Sequence, residues 1–256
     1  MQNQNYLKCP GSDPLSNSVP VLFNCPECDS DIEIWSDETG GKCLYCNNYF
    51  KKTQLGENST ERIENLNRIL QFAEKSGVTG VAVIPAKRIV IDEDLAERCR
   101  EPRCENHGLS KSCPPHVEGP IWFKNNLKNY YKAVFFKIDV PNELLYSSER
   151  REIFRYLHET ASGIEGFAIN LGFPLAKAYT GGSCKKIFCH QHNECLLLSD
   201  KGPCRFPESA RPSMSGFGVD VTKLFELAGW KLRTDKDGID ENRINMSNIC
   251  GLVLIC

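Results

Sequence analysis

No stretch of this chain approaches the roughly 18 uninterrupted apolar residues that a membrane-spanning helix needs. Its N-terminus, MQNQNYLKCPGSDPLSNSVPVLF, sets polar residues and prolines where a secretory leader carries a basic start and an apolar run. Charge of one sign is scarce as well: 31 basic and 33 acidic residues leave a formal charge of −2, too little to draw in nucleic acid or an anionic membrane without specific contacts. Also missing are a G-x4-G-K-S/T phosphate loop, a G-x-G-x-x-G turn between strand and helix, and an H-E-x-x-H zinc helix. The expectation is a cytoplasmic protein that engages neither membrane nor nucleic acid and carries none of the common nucleotide sites.

Cysteine is abundant, at 14 of 256 residues. Cytosolic thiols are kept reduced, so clustered cysteines there are better explained by metal than by disulfides. Along the chain, residues 1–20 are rich in Asn, Ser and Pro and read as a flexible lead holding Cys9 alone, residues 21–52 are a compact cysteine unit, and residues 53–60 are a linker in which Ser59 or Thr60 is placed to cap a helix. Residues 61–256 form the main domain. Ile63, Leu66, Ile69, Leu70 and Ala73 recur at helical spacing until Gly77. Two β-branched runs, 81–84 and 88–91, flank Pro85 and predict a strand pair or a bent strand.

A helix follows from Pro120, then a central strand over 132–140 and a helix through Ile153, Phe154, Leu157 and Thr160 that Gly163 or Gly166 interrupts. Asp220 and Gly229 bracket a further helix, and ICGLVLIC reads as a buried final strand. The fold class expected is mixed α/β: a main α+β domain whose irregular cysteine-rich loops bind iron–sulfur clusters, preceded by a small zinc ribbon.

CPECDSDIEIWSDETGGKCLYC pairs two C-x2-C knuckles, Cys25 with Cys28 and Cys43 with Cys46, with IEIW as a strand and Gly40-Gly41 at the turn. Two such knuckles present four sulfurs to one tetrahedral ion; structural zinc is the expected occupant, and a rubredoxin-like iron site uses the same ligands. Cys184, Cys189, Cys195 and Cys204 fall at irregular intervals among glycines and prolines, as in loops that wrap an iron–sulfur cluster, while a zinc site using His190 or His192 is the competitor. Lys185, Lys186, Arg205 and Arg211 are near enough in sequence to offset a cluster's charge, or to form a solvated face.

ERCREPRCENHGLSKSCPP holds Cys99, Cys104 and Cys113, one thiolate short of a closed site. His107, His116, Cys9, Cys250 and Cys256 are candidates for the fourth ligand, and an exogenous ligand on the open iron of a 4Fe–4S cluster is the expectation. Cys113 as a nucleophile with His116 is the less simple account. Glu165, in GIEGFA, reads as a solvated helix residue, with a buried proton donor as the alternative.

ERCREPRCENHGLSKSCPP, GGSC, GPCRFPESARPSM with GVDV, and the terminal GLVLI together resemble the family of predicted metal-binding proteins numbered 2284 among the domains of unknown function, from about residue 65 to the end. The resemblance implies metal binding through Cys99, Cys104, Cys113, Cys184, Cys189, Cys195 and Cys204, with iron–sulfur clusters the expected species and no reaction specified. The family pattern is tighter between the first cysteines of the third motif and reads Ser-Met-Glu-Ala where this chain has Ser213-Met214-Ser215-Gly216, so no acid/base role carries over from that glutamate.

Three functions follow from these ligand sets. One is an iron–sulfur enzyme that activates a small-molecule substrate, with one or two 4Fe–4S clusters and a separate zinc. Another is an electron-transfer or cluster-carrying protein with a redox partner. The third is a zinc-binding regulatory protein.

Overall fold

The computed structural model describes residues 20–28, 30–54, 59–233 and 245–256. The lead up to residue 19, Cys9 in it, and the capping side chains of Ser59 and Thr60 lie outside the described residues, while Pro20, the lead's last residue, opens the first strand. The chain divides into two compact units, 1–64 and 65–256, and the division falls within the first helix.

The first unit is a pair of antiparallel hairpins. β1 (Pro20–Asn24) pairs with β2 (Asp31–Trp35), and β3 (Gly40–Lys42) with β4 (Tyr49–Lys51). In β2, Ile32 and Ile34 alternate inward and join Phe23, Cys25 and Cys43 in a core of a few side chains. Gly40-Gly41 forms strand β3 instead of the expected turn. Ile34 Cγ1 would lie 2.6 Å from a Cβ on Gly41, so the close packing of the two hairpins explains these glycines.

In the second unit α1 (Ser59–Lys75) leads to a four-stranded sheet in the order β5 (Gly80–Pro85), β6 (Lys132–Pro141), β8 (Met246–Ile255), β7 (Lys177–Tyr179), every neighbouring pair antiparallel. Short α2 (Glu93–Glu97), α3 (Gly119–Asn126) and α4 (Asn142–Leu145) precede the long α5 (Arg150–Asn170). After it come α6 (Cys184–Ile187) and α7 (Val221–Leu227), the latter capped by Asp220, whose side chain accepts from the Lys223 amide.

The central strands are buried on both faces, which is why β6 and β8 read as almost continuous apolar runs. Val134, Phe136, Ile138 and Val253 face α1 and α5, against Ile69, Leu157, Ala161 and Ile164. Ala133, Phe135, Leu252 and Leu254 face the other way, against Phe123, Phe217, Leu224 and Phe225. Each fully buried Leu or Phe contributes about 1.5–3 kcal/mol relative to exposure, so this two-sided sheet is the main source of stability.

Two expectations for this unit change. The apolar run 88–91 is no strand: after β5 the chain makes a 3-10 turn, Ala86–Arg88, and Ile91 meets Val219 in a single bridge. Nor do Gly163 and Gly166 interrupt α5, which runs through both, since Gly163 lies beside the Phe72 ring and Gly166 meets nothing.

Candidate metal centres

The loops 25–30 and 43–48, at the tips of the two hairpins, each carry one C-x2-C knuckle. Cys25 Sγ lies 3.4 Å from Cys46 Sγ and Cys28 Sγ 3.3 Å from Cys43 Sγ, with all four sulfurs within 4.8 Å of one another. A tetrahedral ion with bonds of about 2.3 Å sets its sulfurs about 3.8 Å apart, close to this arrangement.

The loop backbone is shaped for thiolate. The amides of Cys28 and Glu27 turn toward Cys25, and those of Cys46 and Tyr45 toward Cys43. Ser30, which the spacing of the motif did not single out, sets its hydroxyl 2.9 Å from Cys28 Sγ and 3.0 Å from Cys43 Sγ. Burial raises the Cys43 thiol, yet these donors bring it down to about 6. Cys46 goes the other way, to about 12: the Asn48 amide lowers it, and burial with three neighbouring sulfurs outweighs that donor. A bound cation removes this mutual repulsion, which is the electrostatic reason the quartet suits a metal.

In the second unit, Asp92 caps α2 by accepting from the Asp94 amide, and the chain then coils without regular structure. Local bonds fold that coil: Cys104 N–H donates to Cys99 C=O, His107 N–H to Cys104 C=O, and Gly108 N–H to Pro114 C=O. Cys99, Cys104 and Cys113 come together in the wall of one cavity of about 240 Å³, with His107 and Arg150 also in the wall. Burial raises Cys99, and the neighbouring Cys104 and Cys113 raise it further.

Cys184, Cys189, Cys195 and Cys204 surround a separate small void, about 20 Å³. It has room for one ion or water. Among the described residues neither group in this unit brings three ligand atoms within 4.8 Å of one another. A single ion therefore needs the thiols to turn inward about Cα–Cβ, and a larger inorganic core needs those of the quartet to turn outward.

Donors wait in the walls. Ser110, 1% exposed, has its Oγ buried without a hydrogen bond of normal geometry beside Cys184, and Phe206 N–H donates to Cys204 Sγ at 3.4 Å. Burial pushes Cys184 up to about 11 and raises Cys189, the latter opposed chiefly by the Arg205 guanidinium. An orphaned hydroxyl and an adjacent guanidinium in a sulfur-lined void fit an anionic metal–thiolate group.

The two groups adjoin. Cys113 Sγ lies 3.4 Å from the Ser183 hydroxyl, the residue before Cys184, and the Cys184 thiol feels both Cys113 and Cys204.

Residues 82–255, which contain all seven of these cysteines, match the model of a family described as "Predicted metal-binding protein (DUF2284)". The chain belongs to this family. No curated protein and no solved structure matches it. The N-proximal knuckles fall outside the matched span, as a zinc-ribbon-like module added to the family's domain.

The remaining candidates separate. His107 lines the three-thiol cavity, whereas His116 is absent from its wall. His190 is exposed and bonds Arg151 at 2.9 Å, and His192 is exposed, so neither lines the quartet's void. Cys250 is buried on the sheet face toward α3 and α7 and pushed up to about 12, and Cys256 packs against the opposite core. Lys185 is tied to the Cys189 and His192 carbonyls and Lys186 pairs with Glu105 at 3.3 Å.

Glu165 is not solvated. It accepts from the Ala178 amide at 3.1 Å and from Arg211 Nε, inside the protein. Two turns earlier on the same face, His158 is fully buried, accepting from the Arg211 amide through Nδ1 at 3.1 Å and approaching the Gly181 carbonyl with Nε2 at 3.2 Å. Sequence reading overlooked His158. The available signal was the spacing 158, 161, 165, which puts both polar residues on the buried stripe of α5.

Proposed function

We propose that this chain is an iron–sulfur enzyme. Cys99, Cys104 and Cys113 hold a 4Fe–4S cluster through three irons and leave the fourth to a small substrate, while Cys184, Cys189, Cys195 and Cys204 hold a second cluster that is structural or passes electrons. Cys25, Cys28, Cys43 and Cys46 hold zinc. The observation that carries the reading is that three thiols, with no fourth cysteine beside them, open onto a cavity of about 240 Å³, while the other four line a separate void.

Thiolates suit both zinc and iron–sulfur. In favour of iron–sulfur is that His190 and His192, the nitrogen ligands a zinc site there would recruit, do not line the quartet's void. An iron with a free position supplies Lewis-acid chemistry to a substrate oxygen or sulfur. The chain's own residues then bind and orient: His107 and Arg150 stand in the cavity wall, and the Ser183 hydroxyl reaches Cys113 from the loop that begins the quartet. That last contact also favours a second reading, electron transfer between two clusters with a redox partner protein and no substrate.

Counting iron, acid-labile sulfide and zinc in anaerobically purified protein and in Cys113→Ser tests the proposal. We expect about eight irons, eight sulfides and one zinc, with about four irons lost in the variant and zinc unchanged. A colourless protein with no sulfide and about three zinc ions makes it a zinc protein instead.

A further inference from the structure

We infer that the cavity in front of Cys99, Cys104 and Cys113 binds a small carboxylate, and that Arg150 holds it. The inference deepens the reading above and rests on it for the identity of the reactive group, although the binding site itself is read from Arg150 and the cavity. The thiol-lined cavity shares Asn106, Arg150, Gly182 and Ser183 with a second cavity of about 310 Å³, so the two adjoin at these residues. Such volumes are those of small-molecule sites.

Arg150 is the permanently charged cation in the wall of the inner cavity. Its guanidinium lies 5.2 Å from the centre of the Phe154 ring and donates once, from Nη1 to the Leu145 carbonyl at 3.1 Å. Among the described residues no carboxylate lies within ion-pair distance of it, whereas Arg151 is engaged by Glu152 and His190, and Lys186 by Glu105. A guanidinium fixed by one stack and one bond keeps a planar fork available, and that fork matches the two oxygens of a carboxylate. Hydroxyls from Ser183, Ser213 and Ser215 line the same inner wall and suit a second polar group on the ligand.

The test is calorimetric titration of anaerobically purified, metal-loaded protein with L-malate, with inorganic phosphate and glycerol as comparisons and the iron and sulfide of every sample counted. Malate is expected to bind, Arg150→Ala to weaken it about ten- to hundredfold, Arg150→Lys to fall between, and Arg151→Ala to change it by less than about twofold. Iron is expected to stay at the wild-type level in each. The inference is overturned if iron-replete wild type binds no malate, if phosphate binds more tightly, if Arg150→Ala binds malate as wild type does, or if both Arg150 variants lose iron while wild type binds nothing. Malate binding that depends on Arg150 in protein lacking sulfide would sink the cluster reading and leave this site standing.

Discussion

Replacing Glu165 by alanine isolates what holds the cysteine loops in place. Its side chain is 6% exposed and that of its partner Arg211 11%, so the pair is screened little by water. Lys177, at 3.7 Å and half exposed, adds little. Without the carboxylate, the buried Ala178 amide loses its acceptor, and the Arg211 charge is left with only the Pro207 and Ala210 carbonyls, at 2.9 and 3.0 Å. Breaking a buried pair from one side costs about 3–5 kcal/mol, a large share of the roughly 5–15 kcal/mol that holds a domain together. With a urea dependence of about 2–3 kcal/mol per molar, the unfolding midpoint of Glu165→Ala should fall by about 1–2.5 M. Fluorescence of Trp230, stacked on Phe135 at 5.4 Å, reports this core. A Glu165→Met, Arg211→Met double variant should be more stable than either single change, because no unpaired charge remains. A midpoint shift below about 0.3 M in Glu165→Ala, or a double variant as poor as the sum of the singles, would refute the assignment of this pair as the clamp.

Two further outcomes follow from the same structure. Cys43→Ser, or zinc chelation of the full chain, should remove about one zinc and open residues 20–54 to proteolysis with the iron count unchanged, since zinc binding worth about 10–16 kcal/mol far exceeds what a core of Phe23, Ile32 and Ile34 supplies; unchanged protease resistance without metal would count against it. His158, whose burial lowers it to about 4 from about 6.5, binds its proton in the unfolded chain first. Its contribution is therefore complete above pH about 6.5 and is lost as pH falls toward about 4, at up to about 1.4 kcal/mol per pH unit; His158→Gln should flatten the stability profile in that window, and an unchanged slope would exclude a buried neutral imidazole.

Much of the scaffold was legible because its signals are local. The period of α1, the apolar length of β6 and β8, the Asp220 cap and the paired C-x2-C turns each depend on residues close in sequence. What escaped reading depends on distant partners. Glu165 reads as polar in a helix until Arg211, 46 positions later, is seen to close over it. The run 88–91 has strand composition, but only Val219 arrives to pair with Ile91, so no ladder forms. Cys99, Cys104 and Cys113 stand apart in sequence from Cys184, Cys189, Cys195 and Cys204, and each set lines a void of its own. Their adjacency was not, since it rests on a contact between Cys113 and Ser183 across 70 positions.

Helix α5 is the element that makes these distant contacts coherent. Its successive turns present Arg150 to the cavity, Phe154 to Gly182, His158 to Thr180 and Gly181, and Glu165 to Ala178 and Arg211. Gly182 has φ 81°, and a Cβ there would stand 2.9 Å from the Phe154 ring, so the loop that begins the quartet is pressed onto the helix at a point where only glycine fits without displacement. A rod hydrogen-bonded to these loops at His158 and Glu165 and packed on them at Phe154 holds Ser183 in place, and Ser183 in turn meets Cys113. The loops themselves have little regular structure to do so. The buried polar stripe of α5 therefore anchors the segments on either side of the quartet, at Thr180 and Gly181 and at Arg211, and bears on Cys113 only through Ser183.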